Sequence, residues 1–212
     1  MWDNPTQEDE LSNHSNGGHV SIVIAHVEKN GNIFFGYDYQ ITDDNLGRPG
    51  THDKAFIRNI SAVRPIEIGF GVVGIPALLN TLAYSLEIPE YTGTEFTDKE
   101  IDQYVFASLV PAIAISEQVR ASSWGLEGIA SSIMIGVLGK LYSLDHIYNA
   151  VRYSSVYDAI GSGSQVALGA CAALSSHTNM SPARIVHAAV SITIDSDVTC
   201  CGPVGMLRVL CE

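Results

Sequence analysis

The chain has 212 residues, and its 11 Lys and Arg against 23 Asp and Glu give a formal net charge of −12. An acidic chain without any run of basic residues is not expected to bind nucleic acid, which requires a clustered basic surface. Charged residues make up 16% of the sequence, against about 25% in an average soluble domain. This favours large subunit interfaces; the alternative is a monomer with a neutral polar surface.

The sequence contains no segment expected to cross or target a membrane. Apolar runs such as 129–138 are too short for a transmembrane helix, and residues 1–19 are too polar for a secretory signal. We therefore expect a cytoplasmic protein with no membrane contact. The adjacent Cys200 and Cys201 suit reduced thiols better than a disulfide, and no Cys or His spacing indicates a metal site.

Residues 1–18 are acidic, rich in Asn and Ser, and end in two glycines. They are interpreted as a flexible leader, with a possible role as a propeptide, ahead of a single domain over 19–212. The turn dipeptide Asn30-Gly31 predicts a hairpin. The other elements predicted for this half are strands at 21–27, 33–39, 55–60 and 66–72, a loop at 43–52, and helices at 76–86 and 97–119.

The capping box Thr97 to Glu100 begins the second helix, which Pro111 is expected to kink or shorten. The elements predicted for the second half are strands at 129–138, 140–144, 151–160 and 204–210, and helices at 164–176 and 182–192. Strand groups separated by helix pairs predict an α+β protein with two sheets between helical layers.

The segment 159–170, with the sequence AIGSGSQVALGA, resembles the proteasome β-subunit and bacterial HslV peptidase family. Asp38 and Lys54 are sixteen residues apart, as in that family, and the Gly-rich segment 69–74 and the segment 197–202 also resemble its motifs. The resemblance covers roughly residues 20–211. It implies a four-layer αββα sandwich of the N-terminal nucleophile hydrolase type, without a cofactor.

The resemblance also implies roles for individual residues. Asp38 and Lys54 match the pair that tunes the charge of the nucleophile, and Gly71 matches a backbone donor to the oxyanion. The residues that match those supporting the terminal amine are Ser162, Asp197 and Cys200. From the residues alone, Ser162 could equally cap the following helix, and Cys200 could be a buried apolar side chain.

The family nucleophile is a threonine exposed by cleavage after glycine, and this sequence has no Gly-Thr junction. Counting back from Asp38 and Lys54 by the family's spacing, without gaps, places the nucleophile at Ile22. Allowing a shift of one residue places it at Ser21, which is the only plausible residue with a hydroxyl group. Its α-amino group, once free, would serve as the base. Ser21 could otherwise be simply the first residue of a strand. Alternation places His26, an alternative base together with His19, on the opposite face.

Three functions remain open at this point. The first is a subunit of an oligomeric, self-compartmentalising peptidase that removes its leader and hydrolyses peptides or proteins with Ser21. The second is a non-catalytic, unprocessed subunit of a proteasome-like ring, and the third is an amidohydrolase of the same class acting on a small molecule. The resemblance implies a homo-oligomer in the form of a ring, with an ATPase unfoldase as a possible partner.

Overall fold

The computed structural model describes residues 21–43, 46–50, 52–124 and 131–211. The leader over 1–18 lies outside these ranges, as do the segments 44–45 and 125–130. Among the described residues, no helix has both the length and the hydropathy needed to span a bilayer.

The first sheet has four antiparallel strands. Strands β1 (Ile22–Val27) and β2 (Ile33–Tyr37) form the hairpin predicted from Asn30-Gly31. The last strand of the chain pairs with β2 and a strand from the second half pairs with β1, so these two strands lie at the centre of the sheet. A separate short hairpin follows β2 and consists of β3 (Gln40–Asp43) and β4 (Leu46–Pro49).

The second sheet has five antiparallel strands arranged in chain order. It consists of β5 (Ala55–Asn59), β6 (Glu67–Val73), β7 (Ser132–Val137), β8 (Lys140–Leu144) and β9 (Ala150–Arg152). The first sheet is completed by β10 (Tyr157–Gly161) and β11 (Gly205–Val209), so that its order is β10-β1-β2-β11.

Helices cover the outer faces of both sheets. Helix α1 (Pro76–Asn80) continues as a π-helical turn over Thr81–Ser85, and α2 (Asp98–Tyr104) continues through a π-helical turn (Val105–Leu109) into α3 (Val110–Trp124). These helices pack on the second sheet. Helices α4 (Ser164–His177) and α5 (Pro182–Ser196) pack on the first.

Strand β1 shows how the layers form from a simple alternation of side chains. Val23 and Ala25 pack between the two sheets, whereas Ile22 and Ile24 pack against the layer of α4 and α5. All four are fully buried. A strand buried on both faces needs a protein layer on each side, which is what the four-layer αββα sandwich supplies.

Two predictions for local structure were wrong. The segment 43–52 was expected to be a loop, but Asp43 ends β3 and Leu46–Pro49 form β4, which pairs with it. The segment 151–160 was expected to be one strand, but β9 pairs with β8 while β10 pairs with β1 in the other sheet. The exposed residues 153–156 carry the chain from one sheet to the other.

Pro111 does not end or shorten the helix, which runs on to Trp124. A proline has no N–H for the preceding turn and its ring crowds the carbonyl four residues back. The π-helical turn at Val105–Leu109 ends two residues before Pro111, and its wider hydrogen-bonding pattern accommodates the ring.

Candidate active site

Ser21 lies at the start of β1, where its side chain points between the two sheets. Its hydroxyl accepts a hydrogen bond from the Lys54 ammonium, with Nζ 2.8 Å from Oγ. The same Nζ lies 2.6 Å from Asp38 Oδ1. Ser21 and Lys54 are 6% and 8% exposed and Asp38 is fully buried, so water does not compete for these contacts. The structure therefore joins the three residues that sequence reasoning had placed together.

Asp38 is held in place by backbone amides from three different segments. Its Oδ1 accepts the N–H of Ile22 at 2.9 Å, while Oδ2 accepts the N–H groups of Gln40 at 3.2 Å and Cys201 at 3.4 Å. Hydrogen bonds to an ionised carboxylate stabilise its charged form. These contacts fix the carboxylate that in turn fixes the Lys54 ammonium.

The buried position of Lys54 changes its acid–base behaviour. Burial lowers the pKa of the Lys54 ammonium below its ordinary value, although the attraction and hydrogen bond of Asp38 oppose this effect. An ammonium with a lowered pKa gives up a proton more readily than an exposed lysine. Lys54 can therefore both donate to the Ser21 hydroxyl and take part in moving its proton.

A second set of hydrogen bonds reaches the backbone nitrogen of Ser21. The Ser21 N–H donates to Ser162 Oγ at 3.1 Å, and Ser162 Oγ is 2.9 Å from Thr199 Oγ1. Thr199 donates its hydroxyl to Asp197 Oδ1 at 2.5 Å and its N–H to the same oxygen at 2.9 Å. The chain of contacts thus runs from the Asp197 carboxylate through two hydroxyl groups to the nitrogen of Ser21.

Thr199 is the residue that sequence reasoning missed. The resemblance placed Ser162 and Asp197 among the residues that support the terminal amine, and the structure links Asp197 to the Ser21 nitrogen through Thr199 and Ser162. The sequence feature that could have indicated Thr199 is the order Asp197-x-Thr199, because an aspartate in a turn commonly accepts the N–H of the residue two positions later. Such a turn presents the threonine hydroxyl beside the carboxylate.

Cys200 lies beside this network as a buried thiol. It is 3% exposed and packs with the layer of α4 and α5. Burial raises its pKa to about 12, with the negative charges of Asp38 and Asp197 adding to the effect, so the thiol stays protonated. The structure gives Cys200 no hydrogen bond to the nitrogen of Ser21 among the contacts it describes. Its support of the terminal amine remains a prediction.

Gly71 lies apart from the Ser21 network, in the middle of β6. A Cβ on Gly71 would lie 2.5 Å from Val23 Cγ1, so its lack of a side chain lets the sheets approach closely. The N–H of Val72 donates to Lys54 O, and alternation directs the Gly71 N–H to the other side, towards Met134 in β7. The role of Gly71 as an oxyanion donor stays a prediction.

The two candidate histidines do not reach Ser21. His19 lies outside the described residues. His26 is near the other end of β1, where its Nδ1 lies 2.9 Å from Val27 O, and burial lowers its pKa. Because side chains alternate between the two faces of β1, His26 lies on the face opposite Ser21, as predicted.

Comparison with known proteins agrees with this architecture. No family profile matches the sequence, and no curated protein matches it. The fold is that of the N-terminal nucleophile hydrolases of the proteasome type. Among solved structures, HslV from Trypanosoma brucei is similar, with 18% identity and a TM-score of 0.64, covering 88% of this chain and 98% of that one.

Two bacterial structures are similar over comparable lengths. BPH from Thiobacillus denitrificans has 16% identity and a TM-score of 0.63, with 90% of this chain and 98% of that chain covered. Anbu, described as an ancestral β-subunit, from Yersinia bercovieri has 11% identity and a TM-score of 0.60, covering 89% and 81%. Identities this low establish a shared fold, and function must be argued from the site.

Proposed function

We propose that the chain is a proteasome-like peptidase subunit that loses residues 1–20 and then uses Ser21 as its N-terminal nucleophile. The observation that carries this proposal is that both functional groups of Ser21 have a partner. Lys54 Nζ lies 2.8 Å from the hydroxyl oxygen, and Ser162 Oγ lies 3.1 Å from the nitrogen. A serine that merely began a strand would need a partner for its buried N–H but would not need a buried lysine at its hydroxyl.

The proposed hydrolysis begins with the freed α-amino group of Ser21. In its neutral form this amine accepts the hydroxyl proton, while Lys54 stabilises the developing negative charge on Oγ. Oγ attacks the peptide carbonyl, and the leaving amine takes up the proton as the C–N bond breaks. Water then hydrolyses the resulting ester, which releases the acid and restores the Ser21 hydroxyl.

Removal of the leader follows the same chemistry within one chain. Ser21 Oγ attacks the carbonyl of Val20, the amide becomes an ester with its nitrogen freed as an amine, and water cleaves the ester. The products are residues 1–20 with a carboxyl end and a chain that begins at Ser21. In the uncleaved chain the Ser21 nitrogen is an amide and cannot serve as the base, so Lys54 is the nearest described group able to take the proton.

The strand end after Gly71 offers a better oxyanion donor than Gly71 itself. Gly74 directly follows β6, and alternation points its N–H to the same side as that of Val72, which donates to Lys54 O. The φ of +124° at Gly74 turns the chain away from the sheet here, a conformation that glycine tolerates. We assign the oxyanion contact to Gly74 on this basis.

A homo-oligomeric ring with an enclosed peptide substrate is part of the same proposal, as is a cytoplasmic location. The ring is supported by the low charged fraction of 16%, together with large apolar side chains exposed on the described surface. The most exposed of these are Val63, Tyr84, Ile115, Ile147 and Val198. An ATPase unfoldase partner rests on the family resemblance alone.

The proposal is tested by incubating the protein with a mixture of short peptides and analysing the products by mass spectrometry. The wild type is expected to cleave peptides, Ser21→Thr to retain cleavage through its hydroxyl, and Ser21→Ala to lose it by at least about 1000-fold. Ser61→Ala removes a hydroxyl from an exposed turn and serves as the matched control, with activity equal to the wild type.

Three results would overturn the assignment in different ways. An unprocessed wild type without hydrolysis would make the chain a non-catalytic ring subunit. Hydrolysis of small amides but of no peptide would make it a small-molecule amidohydrolase. Equal peptide cleavage by Ser21→Ala and the wild type would remove Ser21 from the mechanism.

A further inference from the structure

Two tyrosines flank Asp38 in the sequence, and both bind the residue before Lys54. The hydroxyl groups of Tyr37 and Tyr39 donate to the same oxygen, Asp53 Oδ1, at 2.7 and 2.6 Å. Asp38 and Lys54 form the ion pair of the site, so their neighbours in the chain form a second connection beside it. We call Tyr37, Asp53 and Tyr39 the tyrosine clamp.

Both tyrosines of the clamp lie against a glycine of the segment that follows the Asp197–Thr199 turn, Tyr37 through its ring and Tyr39 through its Cβ and backbone. A Cβ on Gly205 would overlap the ring of Tyr37, and one on Gly202 would lie 3.1 Å from Tyr39 Cβ. The Tyr39 N–H also donates to Cys201 O at 3.2 Å. The clamp therefore joins the end of β2 and the start of β5 to the segment that supports the Ser21 nitrogen.

The clamp hydroxyl groups remain donors at physiological pH. Tyr37 is only 3% exposed, and burial, with the hydrogen bond to Asp53 next in size, raises its pKa above the ordinary value. The hydrogen bond to Asp53 is the main cause of a raised pKa at Tyr39. Both phenols thus stay protonated and can bind the carboxylate continuously.

Lys54 needs such a contact because it lies just before β5 begins at Ala55. Its carbonyl accepts the N–H of Val72 at 2.8 Å, which fixes the backbone on one side. The residue before it lies outside the sheet ladder, and its carboxylate is held only by the two tyrosines among the contacts described. Without them, the backbone that carries Lys54 is free to shift.

We propose that the tyrosine clamp is a positioning device that holds Lys54 within hydrogen-bonding distance of the Ser21 hydroxyl. This inference rests on the proposed function, in which Lys54 acts on Ser21. Tyr37, Tyr39 and Asp53 do not touch Ser21 and act through Lys54, so they are positioning residues. Removing both hydroxyl groups should loosen Lys54 while leaving the peptide-binding surface in place.

The test uses the double variant Tyr37→Phe/Tyr39→Phe, which keeps both rings. We expect kcat to fall about tenfold with KM unchanged, because only part of the stabilisation that hydrogen bonds give to a charged group would act on the rate. Asp53→Asn retains an acceptor oxygen and should recover most of the activity that Asp53→Ala loses. Tyr142→Phe is the matched control, because Tyr142 donates to Asp102 at 2.8 Å in the second sheet.

A second measurement does not depend on activity. The chain has only four lysines, at 29, 54, 99 and 140, so labelling their ε-carbons with ¹³C gives four NMR signals whose titration can be followed. The groups facing Lys54 are Ser21, Asp38, Cys200 and Cys201. In the double variant the pKa of Lys54 should rise towards its ordinary value, because a loosened ammonium regains water.

The two measurements separate the clamp from the function on which it rests. A changed Lys54 titration in a protein that hydrolyses nothing would retain the positioning role and reject the peptidase. If the double variant matches Tyr142→Phe in both kcat and the Lys54 titration, the positioning role is overturned. A loss of kcat with an unaltered titration would also overturn it, because the effect would then not pass through Lys54.

Discussion

The ion pair of Asp38 and Lys54 is the part of the site that sequence reasoning placed most securely. Their spacing of sixteen residues predicted an ion pair, because the resemblance that includes this spacing spans most of the chain. In the structure their charged atoms lie 2.6 Å apart. Counting back from this pair by the family's spacing left both Ser21 and Ile22 as possible positions of the nucleophile. The structure brings the hydroxyl of Ser21 to Lys54, whereas Ile22 contributes only its N–H to Asp38.

Two site residues were harder to obtain from sequence. The oxyanion donor depends on where β6 ends and on which side each N–H points, and one residue of shift reverses that direction. Thr199 depends on a local turn that links Asp197 to Ser162. The end of β6 is set by pairing with strands elsewhere in the chain, and Thr199 joins the site only through its contact with the distant Ser162, neither of which residue spacing encodes.

Lys54→Met should lower the free energy of unfolding by about 3–5 kcal/mol, because it leaves the Asp38 carboxylate buried without its counter-charge. Urea unfolding at neutral pH measures this change. The double variant Asp38→Asn/Lys54→Met removes both charges and should recover most of the loss. If the single variant unfolds within about 1 kcal/mol of the wild type, the buried pair is not the stabilising contact described above.

At the scale of elements, the predictions succeeded where a local signal is strong. The Asn30-Gly31 turn and the capping box of Thr97 and Glu100 are present, and the threonine side chain accepts the N–H of Glu100 at 3.2 Å. The segment 151–160 was wrongly predicted as a single strand, because the point where the chain leaves one sheet for the other leaves little trace in hydrophobic periodicity. Pro111 does not shorten the helix, because the adjoining π-helical turn accommodates its ring, while the expected kink stays a prediction.

Helix α3 contains a buried acid that gives a pH prediction. Glu117 is 3% exposed, and its Oε1 has no hydrogen-bond partner among the described residues. Burial raises the pKa of this carboxyl above its ordinary value, and a hydrogen bond from Tyr148 partly opposes the effect. The folded state therefore keeps a proton that the unfolded chain has already lost.

The sign of the pH effect follows from this difference in bound protons. As pH rises from the ordinary value of 4.5 through the raised pKa, the free energy of unfolding should fall. Glu117→Gln should flatten this dependence and stabilise the protein at neutral pH, because a neutral amide carries no charge to bury. Urea unfolding between about pH 4 and pH 8 tests it, and parallel curves for variant and wild type would contradict it.

At the scale of the whole molecule, the four-layer sandwich was predictable because its strands and helices alternate in groups and its central strands are buried on both faces. The fold brings together residues from the start, the middle and the end of the chain at one end of β1. The chemistry depends on whether the chain itself begins at Ser21. An uncleaved chain would have the same described site without a free amine.

The most direct test is the intact mass of the purified wild type beside that of Ser21→Ala. Loss of residues 1–20 from the wild type and their retention in the variant would establish Ser21 as a self-processing nucleophile, and this is the result we expect. Retention of Val20 and the residues before it in both proteins would contradict the account, because no free amine would then lie beside Ser162.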